Sequence, residues 1–141
     1  MKGEAEAEAV VATSLRALQA EAFANSVDHG WWDGEMVDEM ADQGRTVAYK
    51  VSARLAEERV PEKIALIHSE VSEALEDFRD GKMATSTRAD GKPEGLPSEL
   101  ADVIIRVLDL AGALGLDMQS EVETKMAFNR TRPRLHGGKR C

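Results

Sequence analysis

Cysteine is nearly absent from this sequence. The one present, Cys141, is the last residue, so no disulfide can close within the chain and a reducing compartment suits it. Aromatic residues make up only 4%, which argues against extensive sheet, since strands draw on aromatic and β-branched side chains. Basic residues are outnumbered: 18 Lys and Arg stand against 26 Asp and Glu, for a net charge of −8. That balance excludes a binder of nucleic-acid polymers that relies on a basic surface. Long apolar runs are missing as well. The longest, Val103 to Leu116, is broken by Arg106 and Asp109 and falls short of the roughly 20 residues that cross a bilayer. The stretch Met1 to Ala9, rich in Glu and Ala, has no signal-peptide pattern. The expectation is a soluble, cytoplasmic protein with no membrane partner.

What the chain does have is Ala, Leu, Val and Glu in abundance. With 141 residues, 43% of them hydrophobic, it fits one helical domain spanning residues 1–141. The charge is unevenly spread. From Lys125 onward there are six basic side chains and no acidic one, which leaves 12 basic against 26 acidic residues in the rest. An acidic body with a basic tail, residues 130–141, suits a cation and an anionic ligand bound together; a tail docked on its own acidic body is the other reading.

Periodicity and punctuation predict an all-α bundle of four to five helices. The first runs from about Glu4 to Ser26, with Val10, Leu15, Leu18 and Phe23 inward, and stops at Asp28-His29-Gly30. Trp31 and Trp32 form a corner. A second helix is expected from about Gly34 to Arg59, loosened at Gly44. Pro61 opens a third, which ends at Asp80-Gly81. Residues 82–95 read as a mobile loop carrying Lys82, Arg88 and Lys92, a candidate lid. Pro97 opens a fourth helix that closes at Gly115, and Asp117 caps a fifth that fades near Asn129.

Two of these helices carry acids where a core is expected. In the third, Ile64, Ile67, Val71, Ala74, Leu75 and Phe78 form an apolar face, flanked by a stripe of Glu70, Glu73 and Asp77. The fourth is apolar almost all round. Its Glu99, Asp102, Arg106 and Asp109 fall at offsets of zero, three, seven and ten, within an arc of about 80°. A helix this apolar is expected to be buried, so the polar stripe faces an internal or cleft-like space. Buried carboxylates are costly unless paired or bound to a cation. Arg106 can pair with one of them; a metal ion is the natural partner for the rest. Oxygen donors without clustered Cys or His favour magnesium, manganese or calcium over zinc. An iron site of the Glu-x-x-His type is disfavoured, since neither Glu70 nor Glu99 has a His three residues on.

Ser69-Glu70-Val71-Ser72-Glu73, followed after a loop by Glu99-Leu100-Ala101-Asp102, resembles the paired E-x-x-E and E-x-x-D signature of the MazG-like all-alpha nucleotide pyrophosphohydrolases. The C-terminal pattern from Lys125 through Asn129, Arg132 and His136 to Lys139 is similar to small phage and bacterial members, and the resemblance covers roughly residues 31–139. It implies Mg2+-dependent hydrolysis, with Mn2+ as the alternative ion, of a nucleoside triphosphate between its α and β phosphates, giving a monophosphate and pyrophosphate. Carried over, Glu70, Glu73, Glu99 and Asp102 are the implied metal ligands. Many members have a further Glu where this chain has Ser69, which leaves Glu73 or Asp109 as candidate base. Lys125, Asn129, Arg132, Arg106 and Lys139 are candidate phosphate contacts and Trp32 a candidate base contact. A homodimer or homotetramer is expected. Competing readings are the same fold acting on dUTP, dCTP or phosphoribosyl-ATP, and a non-catalytic helical oligomerisation module.

Overall fold

The computed structural model describes residues 13–32, 37–40, 48–51 and 53–133. Four helices carry the fold: α1 (Leu15–Asp28), α2 (Ala53–Arg79), α3 (Leu96–Ala113) and α4 (Met118–Arg130). The strands β1 (Val37–Met40) and β2 (Ala48–Val51) form an antiparallel ladder with Val37 opposite Val51 and Met40 opposite Ala48. A second, two-residue ladder pairs β3 (Ser86–Thr87) with β4 (Pro93–Glu94). The all-α expectation holds.

The start of α1 is set by Ser14, whose hydroxyl accepts from the Ala17 N–H at 3.1 Å. Val10 lies outside the described residues. The helix ends at His29, and Gly30 N–H and Trp31 N–H bond back to Val27 and Ser26 carbonyls at 3.0 Å. That turn swings Trp32 into the core.

The expected helix over residues 34–59 is not formed. Its first part contributes the β1–β2 ladder and its last part, from Ala53, belongs to α2. Asp42 and Gly44 are weak helix formers, whereas Val37, Tyr49 and Val51 favour extended chain. Pro61 does not open a helix either; it lies inside α2. Its ring nitrogen leaves the Glu57 carbonyl without an intrahelical donor, at a point where Glu57 and Glu58 are exposed and water can serve.

Between α2 and α3, residues 82–95 turn back through the β3–β4 ladder. Leu96 N–H donates to the Lys82 carbonyl at 2.9 Å, so the end of α2 and the start of α3 are held side by side. Gly95, at φ 107°, caps α3 without a side chain; a Cβ there would fall 2.4 Å from the Ala84 carbonyl oxygen. Lys82 is bound to Asp77 of α2 at 3.0 Å, and Arg88 reaches Asp90 and Glu94 within the connection, so two of the three lid cations are already paired.

Helix α3 is the central element, packed on α2 along one side and on α1 along the other. The core is a cluster of Phe23, Trp32, Ala56 and Ala113, with Val27 and Leu114 against it. Phe23 and Trp32 meet edge to face, ring centroids 6.2 Å apart. Helix α4 attaches at its first turn: Arg16 bonds Asp117 at 2.6 Å, and Gln19 bonds the Leu116 carbonyl and Met118 N–H. Asp117 also caps α4 by accepting from Ser120 N–H. The Arg16 hydrogen bond, then the Ser120 N–H, hold its carboxyl below the ordinary range.

The inward face of α2 is not the expected one. Of the expected apolar face Ala74 is buried and Ile67 half-buried, but Ile64, Val71, Leu75 and Phe78 are each about half exposed, while Ala56, Lys63 and Glu70 are buried. Most of the apolar stripe is turned away from α3, and Lys63 and Glu70 are turned toward it. Charged partners on α3 make this rotation tolerable.

Helices α1 and α3 approach closely at Gly112, where an added Cβ would lie 2.6 Å from Phe23 Cβ and 2.8 Å from its Cγ. Gly112→Ala therefore gains helix propensity but overpacks the core, with a net loss of about 1–3 kcal/mol in urea denaturation. Unchanged or raised stability would mean that α1 is not seated on α3 this tightly.

Candidate functional site

The antiparallel course of α2 and α3 sets up a sequence of facing charges. As α2 runs from 63 to 73, α3 runs from 109 down to 99. Lys63 meets Asp109, Glu70 meets Arg106, and Glu73 meets Glu99.

At the end near the β3–β4 connection, one carboxylate oxygen each from Glu70, Glu73 and Glu99 lie within 4.8 Å of one another. Glu70 and Glu99 are buried; Glu73 is exposed. Burial first, then the charges of Glu73, Asp102, Asp77 and Glu70, push the Glu99 carboxyl above its ordinary range. Arg106 donates from Nε to a Glu70 oxygen at 2.5 Å, and its Nη2 lies 2.5 Å from the same oxygen. No guanidinium or ammonium is paired with Glu73 or Glu99 among the described residues. Three oxygens this close, with neither His nor Cys among them, suit a hard divalent cation of the magnesium or manganese kind.

Next to the acids lies a cavity of about 250 Å³. Asp102, Arg106, Asp109 and Lys63 line it from α3 and α2, and Asn25, Ser26 and Trp31 from α1 and the corner after it. Asp102 is thus one turn from Glu99 but faces the cavity, outside the tight three-carboxylate group.

At the far end, Asp109 is enclosed. One oxygen accepts from Trp32 Nε1 at 2.9 Å and the other from Lys63 Nζ at 3.0 Å. The Lys63 ammonium also lies 4.1 Å from the Trp32 ring centroid, so cation, anion and indole satisfy each other. With both oxygens engaged, Asp109 serves as the anchor of this network and has no lone oxygen aimed at a substrate. Arg59 ties the same corner to α2 by donating to the Trp31 carbonyl at 2.9 Å.

Trp32 was expected to contact substrate. It is 2% exposed and closed into the core, because its N–H is claimed by Asp109; Trp31, 54% exposed, is the tryptophan at the cavity. Lys125, Asn129 and Arg132 are all exposed and none lines the cavity, since α4 leaves the bundle after its first turn. Lys139 lies outside the described residues. Lys63, Asn25 and Ser26 are lining residues that sequence reasoning missed. Lys63 stands seven residues before Glu70, a spacing that places both on one helix face.

No family model matches the chain, and no solved structure does. Over 62 residues the chain is 39% identical to a dATP/dGTP diphosphohydrolase of Cyanophage S-2L, a match that covers 44% of this chain and 52% of that protein. The chain thus spans about half the length of the relative it matches.

Lys63→Met strips the counter-ion from a buried carboxylate, and the expected cost is about 3–5 kcal/mol of stability. Asp109→Asn also destabilises, and the double variant costs less than the two singles together. An Asp109→Asn protein of full stability that had lost turnover would mark this residue as a base instead of an anchor.

Proposed function

We propose that this chain is a Mg2+-dependent nucleoside triphosphate pyrophosphohydrolase, converting a (d)NTP to a (d)NMP and pyrophosphate. The observation that carries the reading is the convergence of Glu70, Glu73 and Glu99 from two helices onto one point, with only Glu70 neutralised by a cation among the described residues. The printed name of the cyanophage relative supports a nucleotide substrate and makes dATP and dGTP the first to try.

Glu70, Glu73 and Glu99 would hold the ion, with Asp102 reaching it from the cavity side. Bound there, it would supply charge neutralisation for the phosphates and a more acidic water. The chain's own groups do the rest. Arg106 lines the cavity beside Asp102 and offers a planar fork to phosphate oxygens. The accessible Trp31 indole at the cavity gives a flat surface on which a base can stack. Glu73, exposed and without a cationic partner among the described residues, would hold the ion through one oxygen and offer the other to the proton of the attacking water.

A purely structural helical module fits less well, because among the described residues it leaves Glu73 and Glu99 beside each other without a cation. We further propose that the protein is a homodimer or homotetramer. Ile64, Val71, Leu75 and Phe78 run along the outside of α2, and Leu100 and Ile104 are exposed on α3. Val122, Met126 and Phe128 are exposed on α4, which buries no residue at all. Such apolar stripes mark a partner surface, and a second copy would allow the Lys125, Asn129 and Arg132 side chains to reach a neighbouring cavity. Light scattering at micromolar protein is expected to give a multiple of the chain mass; a monomer with full activity contradicts this.

Glu73→Gln and Asp102→Asn each remove a carboxylate charge with little change of shape. Pyrophosphate release from dATP or dGTP with Mg2+ is expected to fall by about 100-fold or more in each, with circular dichroism unchanged. Near-normal turnover of either variant at low Mg2+ contradicts the ligand assignment.

A further inference from the structure

The Arg106–Glu70 pair sits on the border between the acidic cluster and the cavity, and it uses the guanidinium unevenly. Nε and Nη2 converge on a single Glu70 oxygen, while Nη1 makes no hydrogen bond among the described residues. Glu70 is almost fully buried, with 8% of its side chain exposed, and Arg106 keeps 32% of its own exposed and lines the cavity. A buried carboxylate without a counter-ion is strongly disfavoured, so the chain on its own must place a cation there. Any divalent ion held by Glu70, Glu73 and Glu99 asks for the same carboxylate.

We propose that Arg106 is an internal stand-in cation: it neutralises Glu70 while the acidic cluster is without a metal, and gives Glu70 up when the cluster is loaded, turning its fork into the cavity to receive a substrate phosphate. The inference rests on the metal-dependent reading above and adds an order of events to it. Loading the acids and arming the phosphate contact are one exchange of partners. Glu70 changes the cation it holds, and the side chain that it releases is already at the cavity wall. Linkage follows from this exchange. Whatever draws Arg106 away from Glu70 strengthens the cluster's hold on its ion, and a phosphate in the cavity does so.

The opposite role is equally definite. If Arg106 served only to orient Glu70 as a ligand, removing it would weaken the ion's binding. The two roles predict opposite signs for the same measurement. Mn2+ is titrated into the full-length protein without nucleotide, and free Mn2+ is read by electron paramagnetic resonance. Arg106→Gln is expected to bind Mn2+ about tenfold more tightly than the wild type, a coupling of ordinary size for two sites sharing a group. Its KM for the triphosphate is expected to rise, since the cavity loses the fork. Arg106→Lys keeps the charge and is expected to shift Mn2+ affinity in the same direction by less, which keeps the test open if Arg106→Gln fails to fold by circular dichroism. Equal or weaker Mn2+ binding by the folded variants overturns the proposal. Glu73→Gln separates the two levels of the argument. If it binds Mn2+ as well as the wild type does, the metal reading itself fails, whatever Arg106 does.

Discussion

Charge inside the helix pair α2–α3 is the constraint on which the rest of the structure turns. An ionised side chain taken out of water must find a partner in a fixed position or it unfolds what surrounds it. Lys63, Glu70, Glu99 and Asp109 are all buried between or beside these two helices. Lys63 and Asp109 answer each other, with the Trp32 indole as third member, and Arg106 answers Glu70. Glu99 has no cationic partner among the described residues, and its carboxyl is pushed upward by burial and by its acidic neighbours. The helix pair is therefore balanced at one end and unbalanced at the other. The unbalanced end opens beside a cavity, which is where an ion and a polyanionic ligand would complete it.

The same constraint explains why the outside of α2 looks like an inside. Turning Lys63 and Glu70 toward α3 carries Ile64, Val71, Leu75 and Phe78 round to an outer flank, because residues offset by one position lie about 100° apart. The lost burial on that side is the cost of building a polar interior, and the proposed second copy of the chain would recover it. Helix α4, tethered at Asp117 and otherwise unburied, points the same way.

Much of this was legible in the sequence, and what was not has identifiable reasons. The stripe of Glu99, Asp102, Arg106 and Asp109 on an otherwise apolar helix gave away an internal polar surface, and the structure turns it inward. The helix ends at Asp80-Gly81 and Gly115 and the Asp117 cap were readable because each has its own local chemistry. The inward face of α2 was misread in part because an apolar stripe was taken for the core side, a rule that fails where charged residues with partners on a facing helix take the interior positions. The β1–β2 ladder was missed because Val37-Asp-Glu-Met40 alternates too little to separate a strand from a helix turn. Which tryptophan enters the core was undetermined by sequence alone. It depends on Asp109, 77 residues away, offering an acceptor to Trp32.

The central claim is that α2 and α3 aim their carboxylates at one shared point to hold a divalent cation. Crystals soaked in Mn2+ and measured for anomalous scattering test it most directly. The account predicts a peak bounded by the Glu70, Glu73 and Glu99 carboxylates, with Asp102 on its cavity side. A strong peak elsewhere on the chain, or none at saturating Mn2+ with those three side chains well ordered, would contradict it.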